Sequence, residues 1–407
     1  MEARWPFEFP GAYWLDGQED QAVLDVLHNG SLFRYYGLGE PKYVDRLEAA
    51  ARKFYGAEYA LAINSGTGAL TTAMSALDVG PGCEVIVPAL LWVATVGAIV
   101  QRNAIPVLCE VDDSLNMDPA DLARKITPRT KLIIPIHMAG SPCDMEAIMA
   151  VARQHGVAVL EDCAQCNGGS FRGQKVGTFG QAGIFSLQLN KNITCGEGGL
   201  LLTNDEKLYY RAFSAHDMGL IRKAGRLATP EPYAIAWGAG RRMTELCGAV
   251  ASVQIAKLPE IVANMRASKA RIKAMVDGTP GVTFRRMNDA EGDTGPFLIV
   301  LLETPERAVT AAKAMIDAGL HNVWRLADYG LHMYFNIPSL VEKVPLSSAG
   351  NPWSLPDNAE SVYDYHKGAC PVSDALFERS VLVPIPSKLT EAQEDFAAET
   401  IRQACAI

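Results

Sequence analysis

Between residues 57 and 205 the chain alternates two apolar patterns. Short runs that are apolar at almost every position, ALAIN, EVIVPA, PVLCEVD, KLIIPIH and VAVLED, predict buried strands. Between them stand TGALTTAMSAL, WVATVGAIVQR, PADLARKI and DMEAIMAVARQHG, which predict helices. This is the βαβ alternation of a mostly parallel sheet with helices on both faces. Residues 182–205, AGIFSLQLNKNITCGEGGLLLTND, add a strand, a polar turn, a glycine-rich stretch and another strand.

A different pattern follows. LCGAVASVQIAKLPEIVANMRASKARIKAMV predicts one long helix leaving the first domain, with a break near Pro259. PFLIVLLE then predicts a strand, and ERAVTAAKAMIDAG and LTEAQEDFAAETIRQACA predict helices. Residues 344–360 are rich in Pro, Ser, Gly and Asn and predict a long loop. The expected organisation is a large domain over 1–258 and a smaller α/β domain over 259–407. The 407 residues, nearly half of them apolar, suffice for both cores. There is no internal repeat and no low-complexity tract.

The net charge of −9 gives no basic footprint for nucleic acid. No uninterrupted apolar stretch approaches the ~18–20 residues of a membrane helix. The N-terminal MEARWPFEFPGAYW lacks the pattern of a signal peptide. Nine scattered cysteines suggest free thiols in a reducing cytoplasm. Cys163 and Cys166 form a CxxC without the second pair a zinc site would want, so buried thiols are expected and no metal.

Three segments carry candidate chemistry. In NSGTGAL, Gly66 and Thr67 fall where a helix begins after a strand. Free amides there suit an anion such as phosphate, or the segment is an ordinary capped turn. VAVLEDCAQ ends a strand in Glu161-Asp162, where open α/β sheets bind ligands. A carboxylate there could hold a cationic ring nitrogen or a metal, or cap the next segment, and Gln165 could donate to a nearby oxygen. Lys191 lies in the turn between two apolar strands. Most lysines in turns are solvated, but this one is flanked by Asn190 and Asn192 and followed by GEGG. Ser186 offers a hydroxyl for phosphate.

In order and spacing these segments resemble the DegT/DnrJ/EryC1/StrS sugar aminotransferases. The resemblance runs from FRYYGLGEPKYVDRLEAAARKFYGAEYALAINSGTGAL through PALLWVATVGAIV, HMAGSPCDMEAI and LEDCAQCNGGSFRGQKVGTFG. It continues to IFSLQLNKNITCGEGGLLLTND and RRMTELCGAVASVQIAKL and is looser in the last third. It implies fold type I of the pyridoxal phosphate (PLP) enzymes, with a central mostly parallel seven-stranded sheet and a smaller C-terminal α/β domain.

It also implies roles. Lys191 would carry PLP as the internal aldimine, Asp162 would pair with the pyridine nitrogen, and Gln165 would contact the phenolic oxygen. Gly66, Thr67 and Ser186 would hold the phosphate. Trp92 would stack on the ring, or be a core aromatic. Where the family has an Asn that reaches the partner subunit's phosphate, this chain has Gly240. A water fills that role, Arg241 takes it over, or Arg241 simply lies on the dimer surface. Arg34 and His332 could bind an acidic or hydroxyl-rich substrate, or be a structural ion pair and a loop residue.

The implied activity is amino transfer from glutamate or glutamine to a keto-sugar, nucleotide-keto-sugar or cyclitol, by ping-pong chemistry in a homodimer with shared active sites. Dehydration or aromatisation within the family is the alternative, and amination of an eight-carbon keto-sugar acid at C8 is the specific variant. A catalytically silent relative conflicts with the intact Lys191, Asp162 and Gln165. A nicotinamide-binding Rossmann enzyme conflicts with the missing GxGxxG after the first strand.

Overall fold

A computed structural model describes residues 5–40 and 42–406. The first four residues of the N-terminal segment lie outside the described residues.

The apolar runs form the centre of a seven-stranded sheet. Its strand order is Tyr59–Ile63, Gly199–Thr203, Ala182–Ser186, Ala158–Asp162, Thr130–Ile133, Glu84–Pro88, Ile105–Cys109. The last five are mutually parallel, and Gly199–Thr203 runs antiparallel to both its neighbours. Helices on both faces explain why these strands are apolar throughout, since neither face meets water. The helices start on polar caps. Ser65 Oγ accepts from Gly68 N at 2.9 Å, Asp144 caps Met145–His155, and Asp205 caps Glu206–His216.

A second, four-stranded antiparallel sheet has the order Val282–Phe284, Phe297–Leu302, Ser380–Pro384, Trp324–Arg325. Helices Pro305–Asp317 and Glu391–Cys405 pack on it through Ala311, Met315, Ala397 and Ile401.

The helix Glu245–Val276 corrects one expectation. It runs unbroken through Pro259. An interior proline costs about 3 kcal/mol. Burial of Ile255, Leu258, Ile261, Val262 and Met265 around it offsets that. By length and composition this helix could cross a membrane. It lies instead against helices Gly17–Asn29, Tyr43–Tyr55 and Glu391–Cys405, and its Lys257 pairs with Glu19 at 2.8 Å.

Residues 344–360 form the expected loop, with one short turn of 3-10 helix at Pro356–Asn358. Buried Asn358 pins it by donating to the Asn103 and Pro352 carbonyls and accepting from Gly82 N.

Candidate active site

A cavity of about 660 Å³ opens at the carboxyl ends of the parallel strands, between the two sheets. Its wall includes Gly66, Thr67, Trp92, Asp162, Gln165, Ser186, Lys191 and His332. Topology thus brings eight sequence-predicted residues to one place.

Strand Tyr59–Ile63 delivers the chain to Ser65, and helix Gly66–Ala76 begins at once. The amides of Gly66 and Thr67 precede the first possible intrahelical acceptor, so they remain free to donate. A Cβ on Gly66 would stand 2.9 Å from Ser186 Cβ and 3.2 Å from its Oγ. Glycine is required there for Ser186 to approach the helix start.

Asp162 ends the strand Ala158–Asp162 and is 4% exposed. Its Oδ2 accepts from Thr95 Oγ1 at 3.0 Å and its Oδ1 from Ala164 N at 3.1 Å. Burial raises its pKa above the ordinary carboxylate value, while these two bonds and the charge of Lys191 oppose the rise. Behind it, Glu161 is saturated. It accepts from the amides of Gly177, Phe179 and Gly180 and lies 3.2 Å from His137 Nε2. His137 Nδ1 accepts from Cys143 N. His137, Glu161 and Cys163 come close enough together to hold a cation. The hydrogen bonds, however, already use the lone pairs that a cation would need.

Lys191 sits in a turn fixed by its own amide to Gln188 O and by Gly11 N to its carbonyl. Its ammonium has no hydrogen bond or ion pair among the described residues. Burial lowers its pKa below the ordinary lysine value, opposed by Asp162. Trp92, at the start of helix Val93–Gln101, is 43% exposed, too open for a core aromatic. Gln165 Oε1 accepts from Ala139 N at 3.1 Å, and its Nε2 lies 3.1 Å from His332 Nε2.

These residues fit a phosphorylated, cationic, flat ring that carries an aldehyde. The cavity lining offers a glycine cradle with free amides, a buried carboxylate, an amine that has no hydrogen bond among the described residues, and aromatic and amide side chains. Whole-chain comparison agrees. Residues 15–402 match the DegT/DnrJ/EryC1/StrS aminotransferase family.

The chain belongs to that family.

It is 33% identical to GDP-perosamine synthase of Vibrio cholerae over 275 residues, 67% of this chain and 72% of that protein. Its fold matches 3-amino-5-hydroxybenzoic acid synthase with a TM-score of 0.80 at 27% identity, over 99% of both chains. An aminotransferase from Psychrobacter cryohalolentis matches with a TM-score of 0.80 at 25% identity, over 98% of both chains. The protein is thus a PLP-dependent enzyme of the sugar aminotransferase family, with the fold type I architecture.

Two expected residues stand away from the cavity. Arg34 is buried, 2.8 Å from Glu48 and 3.5 Å from Asp45, and donates to Ala62 O. Of the two readings the sequence offered for Arg34, the geometry matches the structural ion pair. Arg241 does not line the cavity either. Its side chain has no hydrogen bond or ion pair among the described residues, and burial together with Arg102 lowers its pKa. Gly240, in the place of the family's Asn, has φ of 64°, a left-handed conformation that Gly and Asn both adopt.

Three participants escaped the sequence reading. Thr95, in the same PALLWVAT segment as Trp92, orients Asp162. Tyr329, three residues before His332, stacks on it with centroids 4.1 Å apart. Residues Pro6–Pro10 form part of the cavity wall. A hydroxyl three residues from Trp92, and an aromatic-rich leading segment, were the available signals.

Proposed function

We propose that this protein transfers the amino group of glutamate or glutamine to the keto group of a sugar, nucleotide-sugar or cyclitol, with Lys191 as its catalytic residue. The observation that carries this reading is one unpaired lysine, Lys191, sharing a cavity with the buried carboxylate of Asp162.

When bound, PLP supplies an electron sink for the carbanion formed beside the amine. Asp162 keeps the ring nitrogen protonated, which that sink requires. Gly66, Thr67 and Ser186 hold the phosphate, Trp92 covers a ring face, and Gln165 donates to the ring oxygen. Burial lowers the Lys191 pKa and so eases its deprotonation, which suits it to serve as nucleophile and then carry a proton at the reacting carbon.

Among the described residues lining the cavity, Lys191 is the only lysine or arginine. The carboxylates of an amino acid donor need other cations. A second copy of the chain supplies them in this reading, as a homodimer with shared active sites. The segment 218–239 suits that contact. It exposes Trp237 at 98%, together with Ile235 and Met218, next to Arg241. Nine unpaired cysteines fit a cytoplasmic setting.

The test is borohydride reduction of the yellow holoenzyme followed by peptide mapping. An adduct at Lys191 is expected, and an adduct elsewhere, or none, refutes the assignment. Presenting the aminated cofactor form with keto-sugars, nucleotide-keto-sugars, cyclitols and an eight-carbon keto-sugar acid then names the acceptor. The likeness to 3-amino-5-hydroxybenzoic acid synthase favours one alternative, an aromatising dehydration. A new ultraviolet-absorbing product without amine transfer would identify it.

A further inference from the structure

Gln165 and His332 meet in the cavity wall, and their protonation pattern follows from their other partners. His332 Nδ1 lies 3.2 Å from the Tyr329 carbonyl. A carbonyl only accepts, so Nδ1 carries the hydrogen. In the neutral ring Nε2 is then a bare acceptor. Gln165 Oε1 accepts from Ala139 N, so the nitrogen end of its amide faces Nε2 at 3.1 Å. One amide hydrogen goes to His332. The second remains for the cavity that Gln165 lines.

The imidazole itself is clamped. It stacks on Tyr329 at 4.1 Å and 10°, and lies 4.7 Å from Trp92. The backbone carbonyl of His332 accepts from Leu91 N at 3.0 Å. The titratable groups facing it are Lys191 and Tyr329. Burial, with the Lys191 charge adding to it, pushes the His332 pKa down to about 4.

We propose that His332 is a positioning residue: a fixed neutral acceptor that locks the Gln165 amide with one N–H aimed at the ring oxygen of the bound cofactor. This rests on the placement of Gln165 at that oxygen in the proposed function. The aimed N–H stabilises the oxygen as an anion. An anion satisfied from outside holds the neighbouring proton less tightly. The lock therefore lowers the pH at which the chromophore bound to Lys191 takes up its proton. It also assigns His332 no acid–base step, because the imidazole stays neutral at neutral pH.

The test is a spectrophotometric pH titration of the holoenzyme and three variants. His332→Phe keeps a ring for Tyr329 and Trp92 but removes the acceptor. It should raise the chromophore midpoint by about one pH unit, the size of one hydrogen bond to an ionised oxygen. Gln165→Ala should raise it similarly, and the double variant no further than either alone. His332→Asn, which keeps an acceptor, should move the midpoint part of the way back. A wild-type midpoint in His332→Phe beside a raised one in Gln165→Ala overturns the lock alone. No change in either overturns the Gln165 placement and the lock with it.

A second readout needs no cofactor, and His332→Phe serves in it only to assign the signal. Nitrogen-15 NMR of histidine-labelled protein without PLP should show His332 as the Nδ1–H tautomer, unprotonated at pH 6. The Nε2–H tautomer, or a midpoint near the ordinary histidine value of 6.5, overturns the proposal whatever the variants do.

Discussion

Replacing Thr95 by Val removes one hydroxyl and little volume. That hydroxyl donates to Asp162 Oδ2 at 3.0 Å, and both residues are buried. Afterwards the carboxylate keeps only the hydrogen bond from the Ala164 amide among the described residues. A hydrogen bond to a charged group contributes about 1.5–3 kcal/mol, and one to a neutral group about 0.5–1.5 kcal/mol. The cost of Thr95→Val should therefore depend on the ionisation of Asp162. Burial raises this carboxyl's pKa above its ordinary 3.8. The folded protein thus binds the proton more tightly than the unfolded chain, and this group's contribution to stability falls as pH rises from 3.8 through the folded value. The substitution raises the folded value further and deepens that fall. Urea unfolding of the cofactor-free protein should show a loss of about 1.5–3 kcal/mol at pH 8, shrinking to about 1 kcal/mol where Asp162 is protonated. Thr95→Ser should behave much like wild type. A cost that is equal at both pH values, or a Ser variant as damaged as Val, would refute the reasoning.

Gly66→Ala places a methyl 2.9 Å from Ser186 Cβ, and should weaken PLP binding by about tenfold or more in an absorbance titration. Unchanged affinity removes Gly66 from the phosphate site. Arg34→Met leaves the partly buried Glu48 without its cation, and should cost about 3 kcal/mol in urea unfolding while the folded fraction keeps its KM for the donor. A changed KM with intact stability would return Arg34 to substrate binding. Sedimentation should find a homodimer that Trp237→Asp weakens. A fully active monomer contradicts the shared-site reading.

The strands and helices from Tyr59 to Thr203 were legible because burial on both sheet faces writes itself as apolar runs. The helix through Pro259 was not. A local rule forecast a break, and packing on both sides of the proline, which no local rule contains, overrode it. Gly66, Asp162 and Lys191 could be placed because each lies at or just beyond the carboxyl end of a strand, and those ends share one edge of the sheet. His332 could be named but given no definite role, because its meaning lies in Gln165, Tyr329 and Trp92, which only the fold brings to it. Arg34 shows the reverse. In sequence it is an unattached cation, while in the fold Glu48 and Asp45 neutralise it.

The segment leading into helix Pro10–Tyr13 has a consequence in time. Trp5 packs with Ile272, Val276 and Val383, Glu8 accepts from Ser387 N, and Gly11 N reaches the Lys191 carbonyl. These residues leave the ribosome well before their docking partners at Val383 and Ser387. The large sheet can form while synthesis continues, but the cavity wall at Pro6–Pro10 must wait for strand Ser380–Pro384 and the turn after it. A nascent chain that has not yet reached strand Ser380–Pro384 would therefore carry Lys191 in an open trough, and the pocket would close only once that strand and the turn after it have docked.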